Sequence, residues 1–137
     1  MNFYEVLYVS TIAPDAPLSI VSDIAVKARM ANTELHITGM LVFDGMRFCG
    51  QLEGSQKQVL SLLERIQNDT RHINVEVVHH GPLAERRFSR FSMGYSSLDD
   101  DTDDALSRIE KLDGQAAIEA FTGLLPTVYL GADTPQA

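Results

Sequence analysis

The sequence predicts an α+β fold in which two helices cover one face of a mostly antiparallel sheet. Two observations predict it. Short segments rich in β-branched and aromatic residues alternate with two segments of helical apolar spacing, in the order βαββαββ. An Asp-Gly pair near the middle of the chain marks a hairpin. The 137 residues, 45% of them hydrophobic, suit one domain with a buried core.

The first half of the chain predicts a strand, a helix and a hairpin. Residues 3–10 read "FYEVLYVS", which is typical of a strand, and residues 11–18 contain two prolines and form a loop. Ser19 is a candidate N-cap for a helix that runs to about Asn32. Residues 36–54 predict two strands joined at Asp44-Gly45. The apolar residues of the helix recur at helical spacing: Val21, Ile24, Ala25 and Ala28.

The second half predicts a further helix and two strands. Ser55 caps the helix, and its apolar stripe consists of Val59, Leu62, Leu63 and Ile66. Residues 73–81 form a fourth strand, Pro82 opens a loop, and residues 87–97 form a fifth strand. This order of elements predicts a ferredoxin-like sandwich.

A C-terminal helical extension is predicted to follow the sandwich. Residues 99–104 carry five carboxylates in six positions, which favours the start of a helix over residues 105–125, broken near Gly114. Its apolar residues are expected to cover the free face of the sheet. We therefore expect a domain over 1–97, a helical extension over 98–125 and a tail over 126–137 that frays or contacts a partner.

Composition excludes several classes of function. The formal net charge of -8 disfavours nucleic acid and anionic membrane surfaces as partners. No apolar run approaches the ~20 residues that span a bilayer. The start "MNFYEVLYVS" lacks the basic region of a signal peptide, so we expect a cytoplasmic protein. The lone cysteine, Cys49, excludes an internal disulfide framework.

Common catalytic motifs are absent from the sequence. His79 and His80 are adjacent in a predicted strand, so their side chains should point to opposite faces and not share one metal. Cys49 has no base fixed beside it and is expected to be a small buried hydrophobe. We therefore expect no metal site and no enzyme.

Several segments together resemble the BLUF family, blue-light sensors that use FAD. The matching pieces are "LYVS", "ARMAN", "ITGMLVFDGMRF", "LEG", "LLERIQNDTRH" and "FSRFSMG", in the family's order between Phe3 and Gly94. The family's fold is also the ferredoxin-like sandwich predicted above. The resemblance implies a flavin ring between the two helices, clamped by Ile24 and Ile66, with Asn32 bonded to its carbonyl edge. It also implies further cofactor-binding residues: Ser10, Arg29, Phe48, Asp69, Arg71 and His72, of which the last three face the ribityl and phosphate end.

The switch residue of the family is altered here. The resemblance implies that Tyr8 donates an electron and a proton to the excited flavin and that a nearby glutamine then rearranges. The family pattern is similar to R-F-x-Q-x-L-E-G, and this chain has Gly50 at the glutamine position and Gln51 one residue later. Gln51 is a further candidate for cofactor binding, but it should face the opposite side of the sheet unless a bulge at Gly50 returns it to the cofactor. In the last strand the tryptophan position is Phe91, and Met93 is as in the family.

Two functions are compatible with these residues, and a third is disfavoured. The first is a BLUF-type photoreceptor domain that signals through an unidentified protein partner, with an impaired photoswitch and homo-oligomeric assembly. The alternative is a light-silent interaction module on the same fold, with or without flavin. A small acylphosphatase-like hydrolase would need an early arginine-bearing phosphate loop, and "TIAPDAPLS" has none.

Overall fold

The computed structural model describes residues 2–17, 19–88, 94–97, 105–125 and 129–130. In chain order the elements are β1 (Phe3–Ile12), α1 (Ile20–Glu34), β2 (Thr38–Phe43), β3 (Arg47–Gly54), α2 (Gln56–Gln67), β4 (His72–Leu83), β5 (Gly94–Ser97), α3 (Ala105–Glu110), α4 (Gly114–Leu124) and β6 (Tyr129–Leu130). Among the described residues no helix is both long enough and apolar enough to span a bilayer.

The sheet confirms the predicted α+β sandwich. Its strands lie in the order β4-β1-β3-β2-β5-β6. Strand β1 pairs antiparallel with both β3 and β4, β2 pairs antiparallel with β3, and β5 runs parallel to β2. The first four strands, β4-β1-β3-β2, have the ferredoxin-like arrangement, in which β1 and β3 each lie between two neighbours and can be covered on both faces.

Alternating residues of β1 and β3 pack into two separate cores, one on each face of the sheet. On one face Val6, Tyr8 and Leu52 pack with residues of α1 and α2. On the other face Leu7 and Val9 pack with residues of α3 and α4, among them Leu106, Ile109, Ile118 and Phe121. The prediction that the C-terminal helices cover the free face is confirmed. Their predicted break is also present, at Gly114, whose φ of +57° favours glycine.

Local polar residues fix the helix start and the hairpin. Ser55 Oγ accepts the N–H of Gln58 at 3.3 Å and caps α2 as predicted. Ser19 occupies the N-cap of α1, but within the described chain its side chain makes no capping bond. In the β2–β3 turn Asp44 Oδ1 accepts the N–H groups of Met46 and Arg47 at 2.9 and 2.7 Å, and Gly45 adopts a φ of +100°. The predicted hairpin is confirmed.

Several predicted boundaries differ from the structure, among them the end of β1, which extends to Ile12 where a loop was expected. Strand β4 continues through Pro82, where a loop was expected, because β4 lies at the sheet edge and Pro82 there has no second strand to bond. The fifth strand was expected to begin at residue 87, but residues 87 and 88 are not in a strand. The expected tail contains β6, which pairs with β5 at the other edge. The acidic run 99–104 lies outside the described residues.

Candidate functional site

A cavity of about 170 Å³ lies between α1 and α2 on the face of the sheet that carries Tyr8. Six of the residues predicted for the cofactor site line this one cavity: Tyr8, Ile24, Asn32, Ile66, Asp69 and Arg71. They come from β1, α1, α2 and the turn after α2, so only the folded chain brings them together.

The walls of the cavity are apolar. Ile24 on α1 and Ile66 on α2 belong to the core cluster of this face and reach the cavity from the two helices. Further lining residues are small or aliphatic: Ala28, Ala31, Leu41, Leu52 and Leu62. None of these five was predicted as a site residue, although Ala28 and Ala31 lie one and two helical turns from Ile24. Apolar walls with a few polar anchors are typical of a site for a flat aromatic ligand.

Asn32 is the buried polar anchor. It is completely buried, near the end of α1, and its amide is part of the cavity lining. Helix α1 was expected to end at about Asn32 but continues to Glu34, with Leu35 as its C-cap, so Asn32 lies within the last turn of the helix. A side-chain amide carries both donors and an acceptor. Asn32 can therefore bond a heterocycle edge that offers a carbonyl and an N–H.

The charged end of the cavity is built on a tight ion pair. Arg71 Nε donates to both carboxylate oxygens of Asp69 at 2.9 and 3.0 Å, and Arg71 Nη2 donates to Asp69 Oδ2 at 2.5 Å. The hydrogen bonds that Arg71 donates to Asp69 are the main cause that raises the pKa of Arg71. Two exposed cations, Lys27 and Arg65, also line the cavity and were missed from the sequence. Lys27 lies three residues after Ile24, which is the spacing that could have revealed it.

Tyr8 and Gly50 are directly opposite each other on β1 and β3. A Cβ atom built on Gly50 would lie 2.6 Å from Cε1, Cζ and Oη of Tyr8. The tyrosine ring therefore lies across Gly50 and occupies the space that a side chain there would need. Tyr8 is only 4% exposed, and this burial, followed by the charges of Cys49 and Asp69, raises the pKa of its phenol.

Gln51 lies on the other face of the sheet. The pairing of β3 with β1 and with β2 runs without a register shift, so a bulge at Gly50 is excluded and that alternative is wrong. The Gln51 amide donates instead to Glu5 at 3.2 Å and to Glu53 at 3.0 Å. The assignment of Gln51 to the cofactor site is corrected, because successive strand residues point to opposite faces.

The other predicted site residues have different positions. Ser10 and Phe48 are paired, buried partners on the Tyr8 face, beside the cavity. Arg29 lines a shallow depression on α1 with Val26 and Met30 instead, since its position on the helix is turned away from Ile24. The side chain of His72 and the residues Phe91 and Met93 lie outside the described part of the chain.

The two adjacent histidines face opposite sides of β4, as predicted. His79 Nε2 lies 2.9 Å from Glu5 Oε2, whereas His80 Nδ1 lies 2.5 Å from Tyr4 Oη. Cys49 is completely buried. Burial raises the pKa of the Cys49 thiol, which opposes formation of the nucleophilic thiolate.

The fold and this cavity define a class of protein: an α+β sandwich domain that can hold a flat heterocycle between two helices. Residues 3–94 match the family described as "Sensors of blue-light using FAD", the BLUF family. The chain belongs to this family.

Relatives of known sequence or structure agree with this membership. The blue light- and temperature-regulated antirepressor BluF of Escherichia coli (strain K12) is 31% identical over 87 residues, which are 64% of this chain and 22% of that protein. BlsA in a photo-activated state has a TM-score of 0.80 at 26% identity and covers 96% of this chain and 99% of its own. BlrB, a BLUF protein in a dark state, has a TM-score of 0.67 at 28% identity, covering 70% of this chain and 73% of its own. The chain thus spans about a fifth of the length of BluF.

Proposed function

We propose that this chain is a blue-light sensor domain that binds FAD between α1 and α2 and signals through contacts with another protein. The observation that carries the proposal is the convergence of Tyr8, Ile24, Asn32 and Ile66, with the Asp69–Arg71 pair, on one cavity. These residues are far apart in sequence, and the match to the family covers all of them.

The residues fit a flavin in chemistry. Ile24 and Ile66 would contact the two faces of the ring, and Asn32 would bond its polar edge. Lys27, Arg65 and Arg71 place three cations against the single carboxylate of Asp69, which suits phosphate. When bound, the flavin supplies the absorption of blue light and an electron acceptor. Two phosphates would use this excess of positive charge more fully than one, which is why we favour FAD over FMN.

The cavity must widen to admit the ring. Its volume of about 170 Å³ is below the ~300–1,000 Å³ of most small-molecule sites. Lys27 and Arg65 are exposed and can turn outward, and the Tyr8 ring can rotate away from Gly50. We expect flavin binding to separate the facing sides of α1 and α2 and to stabilise the folded protein by mass action.

The photoswitch is proposed to be impaired. Tyr8 lines the cavity and can donate an electron to the flavin, since this step depends mainly on proximity. A persistent change in the hydrogen bonds around the ring needs a side chain that rearranges, and Gly50 has none. Gln51 is held on the opposite face by Glu5 and Glu53. The lack of a side chain at residue 50 also favours the second candidate function, a light-silent interaction module that keeps the fold.

The output is proposed to be a protein contact without enzymatic activity in this domain. The E. coli relative is described as an antirepressor, which acts on another protein. We propose a comparable contact here, in a cytoplasmic homo-oligomer, made by a sensor domain over 1–97 with its helical extension over 98–125 and tail over 126–137.

One absorption spectrum before and after blue illumination tests the proposal. A flavin spectrum in the purified protein is expected, with little or no lasting red shift. Colourless protein that takes up neither FAD nor FMN would overturn flavin binding, and a strong reversible red shift would overturn the impaired switch.

The Gly50→Gln variant tests the cause of the impairment. It should restore a red shift if the Tyr8 ring can leave its place across residue 50. A variant that binds flavin but gains no shift would place the impairment elsewhere.

A further inference from the structure

The sheet face opposite the cavity contains buried carboxylates that the proposed photochemistry does not use. Glu5 on β1 is 2% exposed, and Gln51 and Glu53 on β3 are completely buried. We call the two carboxylates, Glu5 and Glu53, together with the Gln51 amide between them, the carboxylate cluster. Buried carboxylates are rare in proteins and are tolerated when they are paired and hydrogen-bonded.

Glu53 holds the backbone of the connection between β4 and β5. Its Oε1 accepts the N–H of Arg87 at 2.8 Å, and its Oε2 accepts the N–H of Phe88 at 2.9 Å. The Thr38 hydroxyl donates to the same carboxylate at 2.6 Å, and the Gln51 amide donates at 3.0 Å. Four donors therefore satisfy Glu53, and two of them are main-chain groups of this connection.

Glu5 holds the side chain of the same connection. Arg87 Nε and Nη2 donate to its two oxygens at 2.8 and 3.1 Å, and His79 Nε2 lies 2.9 Å away. Burial alone would raise the pKa of Glu5, but the hydrogen bonds from Arg87, His79 and Gln51 lower it below its ordinary value. Arg87 is thus bonded to Glu5 by its side chain and to Glu53 by its backbone.

Arg86 ties the preceding position to the sheet. Its guanidinium donates to the Thr38 hydroxyl at 2.9 Å and to the backbone carbonyls of Glu53 and His36 at 3.2 and 2.8 Å. It also lies 4.7 Å from the centre of the Phe3 ring. Three consecutive residues, 86–88, are therefore fixed by side-chain contacts rather than by strand pairing.

Gln51 joins the two carboxylates. Its amide nitrogen donates to Glu5 and to Glu53, while its buried Oε1 accepts no hydrogen bond from the described residues. A buried acceptor without a donor costs stability. An aliphatic residue would avoid that cost, so the amide is useful at this position for the two bonds that its nitrogen makes.

We propose that the carboxylate cluster is a latch that holds residues 86–88 on the sheet, with Gln51 as its positioning residue. The latch itself does not depend on a cofactor. Its part in signalling to a partner protein rests on the proposed function. Strand β3 carries Gly50 against Tyr8 on one face and Gln51 on the other. A shift of β3 at the cavity therefore changes the bonds that hold residues 86–88. Opening the latch releases Arg86 and Arg87 from the sheet.

Trypsin tests the latch directly, because it cleaves after Arg86 and Arg87 only when this segment is released. The variants are Gln51→Leu and Glu53→Gln, and the control is Cys49→Ala, a buried neighbour on the same strand and face that lies outside the cluster. Losing bonds to a buried charge should raise cleavage at these two arginines about tenfold or more under native conditions. The control should leave cleavage at these two arginines nearly unchanged, because Cys49 belongs to the apolar core and not to the cluster.

A second measurement decides the matter if the variants fold poorly. In the unmodified protein the amide hydrogens of Arg87 and Phe88 should exchange at least about tenfold more slowly than those of exposed Ala84 and Glu85. Equal exchange at the four amides, or unchanged cleavage in folded Gln51→Leu and Glu53→Gln, would overturn the latch. Flavin content is measured in the same samples. Protein without flavin would refute the proposed function. The cleavage and exchange results would still decide whether the latch exists.

Discussion

Replacing Gly50 by alanine tests the arrangement that distinguishes this site, the Tyr8 ring lying across β3. The new Cβ would lie 2.6 Å from three atoms of the ring, whereas ordinary contact begins at 3.4 Å. The ring would have to move by roughly 0.8 Å (3.4 minus 2.6) within a core where Tyr8 is 4% exposed. Overpacking of this kind costs about 1–3 kcal/mol, so Gly50→Ala should lower the free energy of unfolding by that amount.

Without the Tyr8 ring, Gly50→Ala is not expected to lower the free energy of unfolding. Glycine in a strand is about 0.5–1 kcal/mol less favourable than alanine, so in a Tyr8→Leu background the added methyl should be neutral or stabilising. Gly81→Ala on β4 is the matched control, because a Cβ there meets nothing within 4 Å. Urea unfolding of the four combinations at Tyr8 and Gly50 gives the coupling energy, which should be about 1–3 kcal/mol.

A Gly50→Ala protein as stable as the unmodified one, with Tyr8 present, would contradict this prediction. It would mean that the ring does not lie across β3. Equal effects of Gly50→Ala with and without Tyr8 would refute it as well, since the penalty would then come from another neighbour.

Three further predictions concern the cofactor, acid stability and the second core. Asn32→Ala should weaken flavin binding by about 1–3 kcal/mol in a titration followed by fluorescence, with exposed Gln67→Ala as the control; unchanged affinity would contradict the placement of the ring. The pKa of Glu5 is lower in the folded protein than its ordinary 4.5. Its stabilisation is therefore present above that pH and is lost as the pH falls through the folded value, and Glu5→Gln should flatten this part of the stability curve; an equally steep curve would exclude Glu5 as its source. Truncation after Gly94 removes α3 and α4 and should cause aggregation on size-exclusion chromatography, so a soluble truncation of equal stability would contradict the importance of this core.

The architecture of this protein could be predicted from its amino-acid sequence. The apolar stripe from Val59 to Ile66 and the Asp44-Gly45 turn are local signals, and α2 and the hairpin follow from them. The sequence also predicted that Gly50 and Gln51 lie on opposite faces of the sheet, because side chains alternate along a strand of regular register. The edge strands were harder to predict. Whether Pro82 ends β4, and whether residues 129–130 pair with β5, depends on where the sheet ends rather than on the residues themselves.

The surroundings of each polar residue, in contrast, could not be predicted before the chain was seen folded. Lys27 and Arg65 resemble any exposed helical cations until α1 and α2 face each other across the cavity. The position of the Tyr8 ring is a packing outcome, since the space above Gly50 exists only between paired strands. The carboxylate cluster is the clearest case. Its bonds join Glu5 to residues 74 and 82 positions away along the chain, and no local pattern encodes a contact of that range.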